Sequence, residues 1–367
     1  MVFSRILKLY SYISSRRTAK LQKQYDYEHL LPFLISGRGL SCDEKNAVAA
    51  KWGNIINVPV KWGFPYYQAL KEIDTFNADY LPSAFYYPFI EGILNPSPWR
   101  SALSHKSMLH HVYNCGIAFP NTLICTYGGV YFNKDRRPVL RSEAASILRQ
   151  SNVPLIFKPS IDTSQGKGVK LLSGADIDLL CNDIESGAVF SACGDFVIQE
   201  LVSQSEDTAV FNPSSLNCFR VTTLSLDNQI SICSIALKCG APKAVVDNIG
   251  RGKRGVIVGV NRDGCVSDAG FFGNGELTLT HNGIAFRNKR IEHIGRVLDA
   301  AVTLHKYVPV CRLIGWDIAL DEHNVPVLIE GNTVYPGISM EQMCSGPIFG
   351  DRTNEVIRYI REYQKIN

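Results

Sequence analysis

The sequence has no Cys-x-x-Cys pair and no cysteine–histidine cluster at zinc-binding spacing, although it contains eleven cysteines in 367 residues. This absence argues against a zinc ribbon or a thioredoxin-like redox motif. We therefore expect reduced thiols and a cytoplasmic location. The chain also lacks an apolar run of about 18 residues and a signal-peptide pattern at its start, so we expect neither a transmembrane helix nor secretion.

The sequence also has little excess charge of either sign. Its formal net charge of +4 is too small to indicate a nucleic-acid-binding protein. Internal repeats and low-complexity tracts are absent as well. With 46% hydrophobic residues, the chain can bury large cores, and its length is typical of roughly two or three domains.

Basic residues are nevertheless concentrated near the start of the chain, where the first 25 residues contain no acid. Apolar residues alternate with them at helical spacing. Two interpretations stay open: a basic helix between residues 5 and 23 that contacts the inner membrane face peripherally, or a solvated helix that packs its apolar side on the protein. The basic residues are Arg5, Lys8, Arg16, Arg17, Lys20 and Lys23.

The rest of the chain alternates strand and helix patterns. A helix-start signal lies at Ser41–Glu44, and a proline-rich break lies at Asn95–Pro98. Ser104–Gly116 resembles a capped helix that ends at glycine. Short strand patterns follow, with helices after Gly174 and over Ile291–Tyr307. The mixture predicts an α+β fold. The predicted strands are Leu155–Lys158, Gly168–Leu172, Phe196–Glu200, Arg220–Leu226, Ile230–Lys238, Gly255–Val260 and a C-terminal hairpin.

That hairpin carries oxygen ligands on one face. The turn cluster Asp321–Asn324 separates two apolar runs, so the runs should pair antiparallel. A two-residue loop would put Asp317 opposite Glu330, and a four-residue loop would put it opposite Leu328. Because side chains alternate with a period of two, either register places Asp317 on the same face as Glu330 and Asn332.

Two carboxylates and an amide oxygen suit a hard cation such as Mg²⁺, which takes its other ligands from water and nucleotide phosphates. An ordinary hairpin with solvated acids has the same spacing, so the pattern alone leaves both interpretations open. The residues expected on the opposite, core-facing side are Ile318, Leu320, Val327 and Ile329.

A second motif places Lys158 at a strand end, followed by a loop of small residues. Such a loop can present backbone N–H groups to phosphate oxygens while the lysine supplies charge. It is not a Walker A loop, because Lys167 is followed by Gly168, nor a dinucleotide fingerprint, because Leu171 occupies the third glycine position. A plain glycine- and serine-rich hairpin with an exposed lysine remains the alternative.

Taken together, these motifs resemble the ATP-grasp superfamily, and in particular the sugar-transfer-associated ATP-grasp proteins of bacterial polysaccharide biosynthesis. The matching features are the Lys-Pro-Ser strand end, the Gly-Lys-Gly-Val loop, the strand Val197–Glu200 and the Asp…Glu-x-Asn set; the runs Asn212–Thr223 and Val246–Asn248 also match. The resemblance covers roughly residues 100–345. It implies two α+β subdomains that enclose a nucleotide, over residues 96–202 and 203–367, after a mostly helical, aromatic region over residues 1–95.

The resemblance implies that Lys106 and Lys158 contact nucleotide phosphates. By itself, Lys106 also fits an ordinary surface helix lysine. The loop residues that would close over the triphosphate are Ser160, Ser164, Gly166, Lys167 and Gly168. The hinge residues that would recognise adenine are Gln199, Glu200, Leu201 and Val202.

Glu200 or Asp207 would accept ribose hydroxyls, although each also fits a plain strand-end or loop acid. Asp317, Glu330 and Asn332 would hold one or two Mg²⁺.

Arg220 and Lys238 would act on the transferred phosphate, as the matching cations do in the glutathione synthetase branch. Arg220 begins an apolar strand, where a buried charge is costly without an anionic partner. The following glycine-rich loop would help form the acceptor pocket. It has Lys253-Arg254 where the family favours Gly-Gly, and a solvated loop is the alternative. Its predicted substrate-binding residues are Asn248, Arg251, Lys253 and Arg254.

The resemblance implies an ATP- and Mg²⁺-dependent carbon–nitrogen ligase, which forms an amide through an acyl phosphate. Its partners would be an amine or amino acid and a uronic-acid-type carboxylate on a sugar nucleotide or glycan, in capsule or O-antigen biosynthesis. A kinase-like phosphotransferase and a non-catalytic nucleotide-binding subunit of a glycan assembly are the alternatives. The sequence does not predict an oligomeric state.

Overall fold

The structure is a computed structural model. The part of the chain that it describes is residues 2–29, 39–73, 75–96, 100, 102–161, 166–244, 247, 249 and 255–366.

The N-terminal region is helical, as predicted. Helix α2 begins at the predicted signal, where the Ser41 hydroxyl accepts the Glu44 N–H (3.2 Å) and the Glu44 carboxylate accepts the Ser41 N–H (2.7 Å). This capping box satisfies two backbone donors at the helix start. The helices of this region are α1 (Val2–His29), α2 (Cys42–Trp52), α3 (Phe64–Ile73), α4 (Ser83–Phe89) and α5 (Glu91–Leu94).

The first sheet has six antiparallel strands in the order β3-β2-β1-β6-β4-β5. Helices cover one of its faces and bury Ile124, Phe157 and Ile198 against Leu148 and Ile184. The strands are β1 (Thr122–Tyr127), β2 (Val130–Asn133), β3 (Pro138–Val139), β4 (Leu155–Pro159), β5 (Lys170–Leu172) and β6 (Phe196–Glu200). The nearby helices are α6 (Leu109–Val112), α7 (Arg141–Arg149), α8 (Ala175–Ser186) and α9 (Ala188–Cys193).

The second sheet has seven strands in the order β11-β10-β9-β8-β7-β14-β15. Its strands are β7 (Cys218–Leu226), β8 (Gln229–Cys239), β9 (Val256–Val260), β10 (Val266–Phe272), β11 (Leu277–Thr278), β14 (Leu313–Leu320) and β15 (Pro326–Asn332). A separate small hairpin consists of β12 (Thr280–His281) and β13 (Ile284–Ala285). The helices of this half are α10 (Glu206–Ala209), α11 (Ile294–Lys306), α12 (Ser339–Ser345) and α13 (Thr353–Ile366). The mixture of antiparallel sheets and helices confirms the predicted α+β class.

Both faces of the second sheet are covered. Helix α11 packs on one face, and its predicted inward residues all belong to that core or lie buried beside it. On the other face, Leu224, Ile257 and Leu313 of the sheet share a core with Trp52 and Phe85 of the N-terminal helices. The N-terminal region therefore packs directly against the second sheet. The predicted inward residues of α11 and its approach are Ile291, Ile294, Leu298, Ala301 and His305.

The C-terminal hairpin follows the register of a two-residue loop from Gly315 to Asp317 and departs from both predicted registers beyond Asp317. Asp317 pairs with Glu330, but Ile318 pairs with Leu328, because a β-bulge makes Ile329 an extra residue on β15. Because of the bulge, the prediction that Ile329 faces the core is wrong. Leu328 joins Ile318 in the core instead, and Ile329 lines a cleft on the other side of the sheet.

The predicted helix Ser104–Gly116 is wrong. The segment forms a 3₁₀ turn at Lys106–Met108 and the short helix α6. The Ser104 hydroxyl donates to the carbonyl of Arg100 (3.1 Å) and caps nothing. The Lys106 N–H donates to the carbonyl of Ser160 (3.1 Å), so tertiary contacts to the end of β4 take the backbone groups that a longer helix would use.

Within the described ranges, no helix is both long and apolar enough to cross a membrane. All eleven cysteines are free thiols.

Candidate active site

A cleft of about 960 Å³ lies between the two sheets and extends to the N-terminal helices. The strand ends of β4 and β6 line one side, and the inner face of β7, β8, β14 and β15 lines another. This arrangement gathers residues that are far apart in the sequence. The predicted site residues that line the cleft are Lys106, Lys158, Ser160, Gly166, Glu200, Leu201, Val202, Arg220, Lys238, Asp317, Glu330 and Asn332.

A buried charge cluster forms the floor of the cleft. The Arg220 guanidinium donates to both Asp317 oxygens, from Nε to Oδ1 (2.7 Å) and from Nη2 to Oδ2 (3.1 Å). The Lys238 ammonium lies 3.1 Å from Asp317 Oδ2 and 3.0 Å from Asp247. Glu341 on α12 accepts from Arg220 Nη1 (3.1 Å). Neighbouring strands position the cluster, because Asp317 and Arg220 are direct partners in the β14–β7 ladder.

The charges in this cluster stabilise one another. Burial alone would raise the pKa of Asp317, but Arg220 and Lys238 hold that pKa well below its ordinary value. Burial would lower the pKa of Lys238, yet Asp247 and Asp317 raise it. Burial raises the pKa of Glu341 in spite of Arg220. Asp317 is therefore the fixed negative charge between the two cations.

Gly315 permits the backbone to approach this cluster closely. A Cβ at Gly315 would lie 2.7 Å from the Pro336 carbonyl oxygen and 3.2 Å from Arg220 Cδ. The same carbonyl accepts a hydrogen bond from Arg220 Nη1 (2.7 Å). Because Gly315 has no side chain, the Pro336 carbonyl can lie close enough to accept this hydrogen bond, which helps to hold the Arg220 guanidinium in position.

Glu330 and Asn332 lie beside the cluster and face the cleft. Lys106 Nζ contacts Glu330 Oε1 at 2.8 Å. The Asn332 amide donates to the Gly315 carbonyl (3.0 Å) and to Asp317 Oδ2 (3.4 Å), so its nitrogen is used and its carbonyl oxygen is oriented away from these acceptors. The orientation leaves the oxygen of Asn332 suited to a ligand.

Lys158 differs from the other cleft cations. Its ammonium donates to the amide oxygen of Gln199 (3.1 Å), a neutral partner. Burial lowers the pKa of Lys158, and Glu330 and Asp247 only partly oppose that effect. A partly buried ammonium with a neutral partner is suited to an anionic ligand. The Gln199 amide also donates to Thr122 (3.0 Å), which fixes its orientation.

A hydrogen-bond network holds the base of the predicted phosphate loop. The buried Ser160 hydroxyl accepts the Ser107 N–H (2.9 Å) and lies 2.6 Å from His105 Nδ1. His105 Nε2 in turn lies 3.6 Å from the carboxylate of Asp195. Sequence reasoning missed His105, Ser107 and Asp195, because each acts through a partner more than 30 residues away.

Several predicted residues lie elsewhere. Asp207 does not line the cleft; its carboxylate accepts the Glu292 N–H (3.1 Å) and contacts His293 Nδ1 (3.1 Å). Lys167 and Gly168 do not line the cleft, although Gly166 and Val169 on either side of them do, and Lys167 is exposed. The residues outside the described part of the chain are Ser164, Asn248, Arg251, Lys253 and Arg254.

The structure also adds residues that the motifs did not indicate. Glu341 also pairs with Arg220. Asp247 lies in the matching run Val246–Asn248, but the sequence assigned it no role; in the structure it pairs with Lys238. Asp26, Ser83 and Tyr87 of the N-terminal region line the far end of the cleft. No local pattern identifies them, because only the tertiary packing of α1, α4 and α12 brings them to the cleft.

The donor set fits a hard cation. Two carboxylates, Asp317 and Glu330, and the amide oxygen of Asn332 share one face, and oxygen ligands are those that Mg²⁺ prefers. No group of three or more His, Cys, Asp or Glu side chains at metal-binding separation occurs in the described ranges. Any cation at this site would therefore depend on the amide oxygen or on non-protein ligands as well as the two acids.

The two-sheet architecture with this cleft defines the class: the protein has the ATP-grasp fold. More specifically, the chain belongs to the family described as sugar-transfer associated ATP-grasp, which matches residues 90–358. This confirms the resemblance inferred from the motifs. Proteins of the ATP-grasp family use ATP, typically with Mg²⁺. No curated protein sequence matches the chain significantly.

Three solved structures illustrate the similarity of this chain to other proteins, each at low sequence identity. The D-Ala:D-Ser ligase VanG of Enterococcus faecalis has 13% identity and a TM-score of 0.43, over 71% of this chain and 61% of that one. The ATP-grasp ligase PsnB, in complex with a precursor peptide, has 15% identity and a TM-score of 0.41, over 73% and 62%. Biotin carboxylase of Campylobacter jejuni has 12% identity and a TM-score of 0.44, over 71% and 46%. The chain thus spans about three fifths or less of their lengths.

Proposed function

We propose that the protein is an ATP- and Mg²⁺-dependent carboxylate–amine ligase that forms an amide through an acyl phosphate. The observation that carries the proposal is the buried cluster of Arg220, Lys238 and Asp317 at the centre of a cleft that continues in two directions. One direction leads to Lys158 and the hinge at Leu201. The other leads to the N-terminal helices and leaves room for acceptor substrates.

In the proposed reaction, a carboxylate oxygen attacks the γ-phosphorus of ATP and ADP leaves. An amine that has released its ammonium proton to water then attacks the acyl carbon through nitrogen. A C–N bond forms, the C–O bond to phosphate breaks, phosphate leaves with the bonding electron pair, and the remaining proton lost from nitrogen passes to water or to the departing phosphate. Such chemistry requires positioned cations to neutralise developing charge, and no enzyme nucleophile. We assign Lys106 and Lys158 to the nucleotide phosphates, and Arg220 and Lys238 to the transferred phosphoryl group.

Asp317, Glu330 and Asn332 are the residues that would hold Mg²⁺, which would offset phosphate charge when bound. Glu200, Leu201 and Val202 would contact the nucleoside at the hinge. We keep Ser164, Asn248, Arg251, Lys253 and Arg254 as proposed loop residues on the strength of the sequence, as the structure does not describe them.

The family description, which associates these proteins with sugar transfer, supports a glycan-related substrate. We propose a uronic-acid-type carboxylate on a sugar nucleotide or glycan and an amine or amino acid, in capsule or O-antigen biosynthesis. The reaction would take place in the cytoplasm, with α1 as a candidate for contact with the inner membrane face.

Hydroxylamine trapping tests the reaction class. The protein is incubated with ATP, Mg²⁺, hydroxylamine and a panel of glucuronate and galacturonate compounds, free and nucleotide-linked, and both ADP and hydroxamate are measured. The proposal expects carboxylate-dependent ADP release with matching hydroxamate. ADP release with phosphorylated acceptor and no hydroxamate would identify a phosphotransferase instead. Complete absence of ADP release across the panel would favour a non-catalytic nucleotide-binding subunit.

A further inference from the structure

The far end of the cleft contains a buried acid whose charge is not balanced. Asp26 on α1 lines the cleft and is only 4% exposed. Its Oδ2 accepts a hydrogen bond from the Ser83 hydroxyl (2.5 Å) at the start of α4. Its Oδ1 is buried and has no hydrogen-bond partner among the described residues. A buried polar atom without a partner calls for an explanation, because it costs free energy in a folded protein.

The other buried acids show how unusual this is. Glu91 pairs with Arg100 (2.9 Å), Glu341 with Arg220 (3.1 Å), and Asp317 with Arg220 and Lys238. Asp26 has no basic partner in the described ranges. Burial raises the pKa of Asp26 to about 7, and only the Ser83 hydrogen bond opposes that effect.

Two tyrosine rings line the same cleft as this acid. Tyr87 and Tyr335 line the cleft, and their ring centroids are 5.0 Å apart. Burial raises the pKa of Tyr87, the negative charges of Glu341, Glu91 and Asp26 raise it further, and Arg220 lowers it. Tyr87 therefore lies within electrostatic reach of Asp26 and of the central cluster. A cleft lined by a carboxylate and tyrosine rings is a favourable environment for a cation, through charge and cation–π attraction.

We infer that Asp26, with Ser83, Tyr87 and Tyr335, forms the subsite that binds the amine substrate as its ammonium ion. This inference rests on the proposed ligase function and specifies where one of its substrates binds. The charges along the cleft support the assignment. The anionic substrates face Arg220 and Lys238, whereas the cationic substrate faces the one buried acid of the described chain that has no cation of its own. The N-terminal region thereby contributes directly to substrate recognition.

Thermal unfolding tests the subsite without requiring turnover. Wild-type protein is titrated with ethanolamine, L-alanine, L-serine and L-lysine, each compared with its N-acetyl derivative, and the apparent Kd is fitted from the rise in Tm. We expect at least one amine to raise Tm while its acetylated form does not. D26N should weaken that binding about 10- to 100-fold, the effect of losing one charge-assisted hydrogen bond. ADP binding should be unchanged.

D26N keeps the shape of the side chain and removes a buried charge, so it should fold. D183N, which changes an exposed acid on α8, is the matched control and should bind amines like the wild type. Equal amine affinity in D26N and wild type would overturn the inference, and so would the lack of any amine-specific shift in the wild type. Hydroxamate formation reports separately on the ligase reaction, so failure of the subsite and failure of the proposed function give different results.

Discussion

The two acids of the hairpin, Asp317 and Glu330, should respond very differently to neutralisation, although both are assigned to the same cation. The side chain of Asp317 is 7% exposed and lies between Arg220 and Lys238. Removing one partner of a buried ion pair typically costs about 3–5 kcal/mol, because the remaining charge is left without compensation. The side chain of Glu330 is 29% exposed and contacts Lys106. Loss of such a partly exposed pair costs about 0–1 kcal/mol.

We therefore predict that D317N and E330Q both lose ADP release but differ in stability. At about 2 °C per kcal/mol for a chain of this size, D317N should lower the Tm by about 6–10 °C, and E330Q by about 2 °C or less. The measurements are carboxylate-dependent ADP release and thermal unfolding on the same preparations. E322Q, which changes an exposed acid in the turn of the same hairpin, serves as the control for both.

Each half of this prediction can fail on its own. Full turnover in E330Q would show that Glu330 is not needed to bind the metal. A D317N protein that unfolds at the wild-type temperature would show that Asp317 does not balance the charges of Arg220 and Lys238. In that case the description of the cluster as a buried, mutually stabilised set would be incorrect.

Three further predictions follow from the charges in the cleft. K158M should raise the KM for ATP at least about 10-fold and leave the free energy of unfolding unchanged or higher, since the Lys158 ammonium has only a neutral protein partner among the described residues. K170M, at an exposed position, is the control, and a wild-type KM in K158M would contradict the prediction. R220K should lose both turnover and stability, measured by ADP release and Tm, because lysine cannot replace a bidentate guanidinium; wild-type values would refute it. Burial raises the pKa of Asp26 to about 7 in the folded state, whereas the pKa of an unfolded aspartate is near 3.9. Between these values the folded state holds a proton that the unfolded state has lost, so the free energy of unfolding of the wild type should fall by up to ~4 kcal/mol as pH rises from about 4 to about 7. D26N should lack that loss, so urea unfolding should show the two proteins diverging towards pH 8, and parallel curves would refute the assignment.

Most of the fold and the centre of the site were predictable from the sequence, because they depend on local periodicity and strand pairing. The alternation around Asp317 and Glu330 specified their shared face, and the apolar pattern of β4, β6, β7 and β8 located the strands that carry Lys158, Arg220 and Lys238. These features need only a period of two and a turn.

Other features depended on contacts between distant residues and were therefore not predictable. The bulge at Ile329 changes which β15 residue reaches the core, and no residue type there signals it. Ser107 looked helical, but its N–H is bound by Ser160 at the end of a strand 53 residues later. Asp26 directly follows a basic stretch, and nothing in its sequence neighbourhood indicates a cleft. In each case the competing tertiary contact decided the local structure.

The pairing of charges in the cleft also predicts which cation contributes most directly to nucleotide binding. Lys106 and Lys238 are in contact with carboxylates, so each must exchange one anion for another when phosphate binds. The exchange offsets much of the binding free energy that the phosphate contact provides, because the carboxylate that the lysine leaves then needs a new positive partner. Lys158 has only the neutral amide of Gln199 as a direct partner among the described residues, so phosphate binding would supply a missing charge and restore the lowered pKa of its ammonium. A divalent cation at Glu330 would bind the carboxylate that contacts Lys106, and would thereby weaken the competition between that carboxylate and phosphate for the lysine. Metal and nucleotide should therefore bind with positive coupling through Lys106, whereas the contribution of Lys158, which has no direct contact with Glu330, should depend less on the metal.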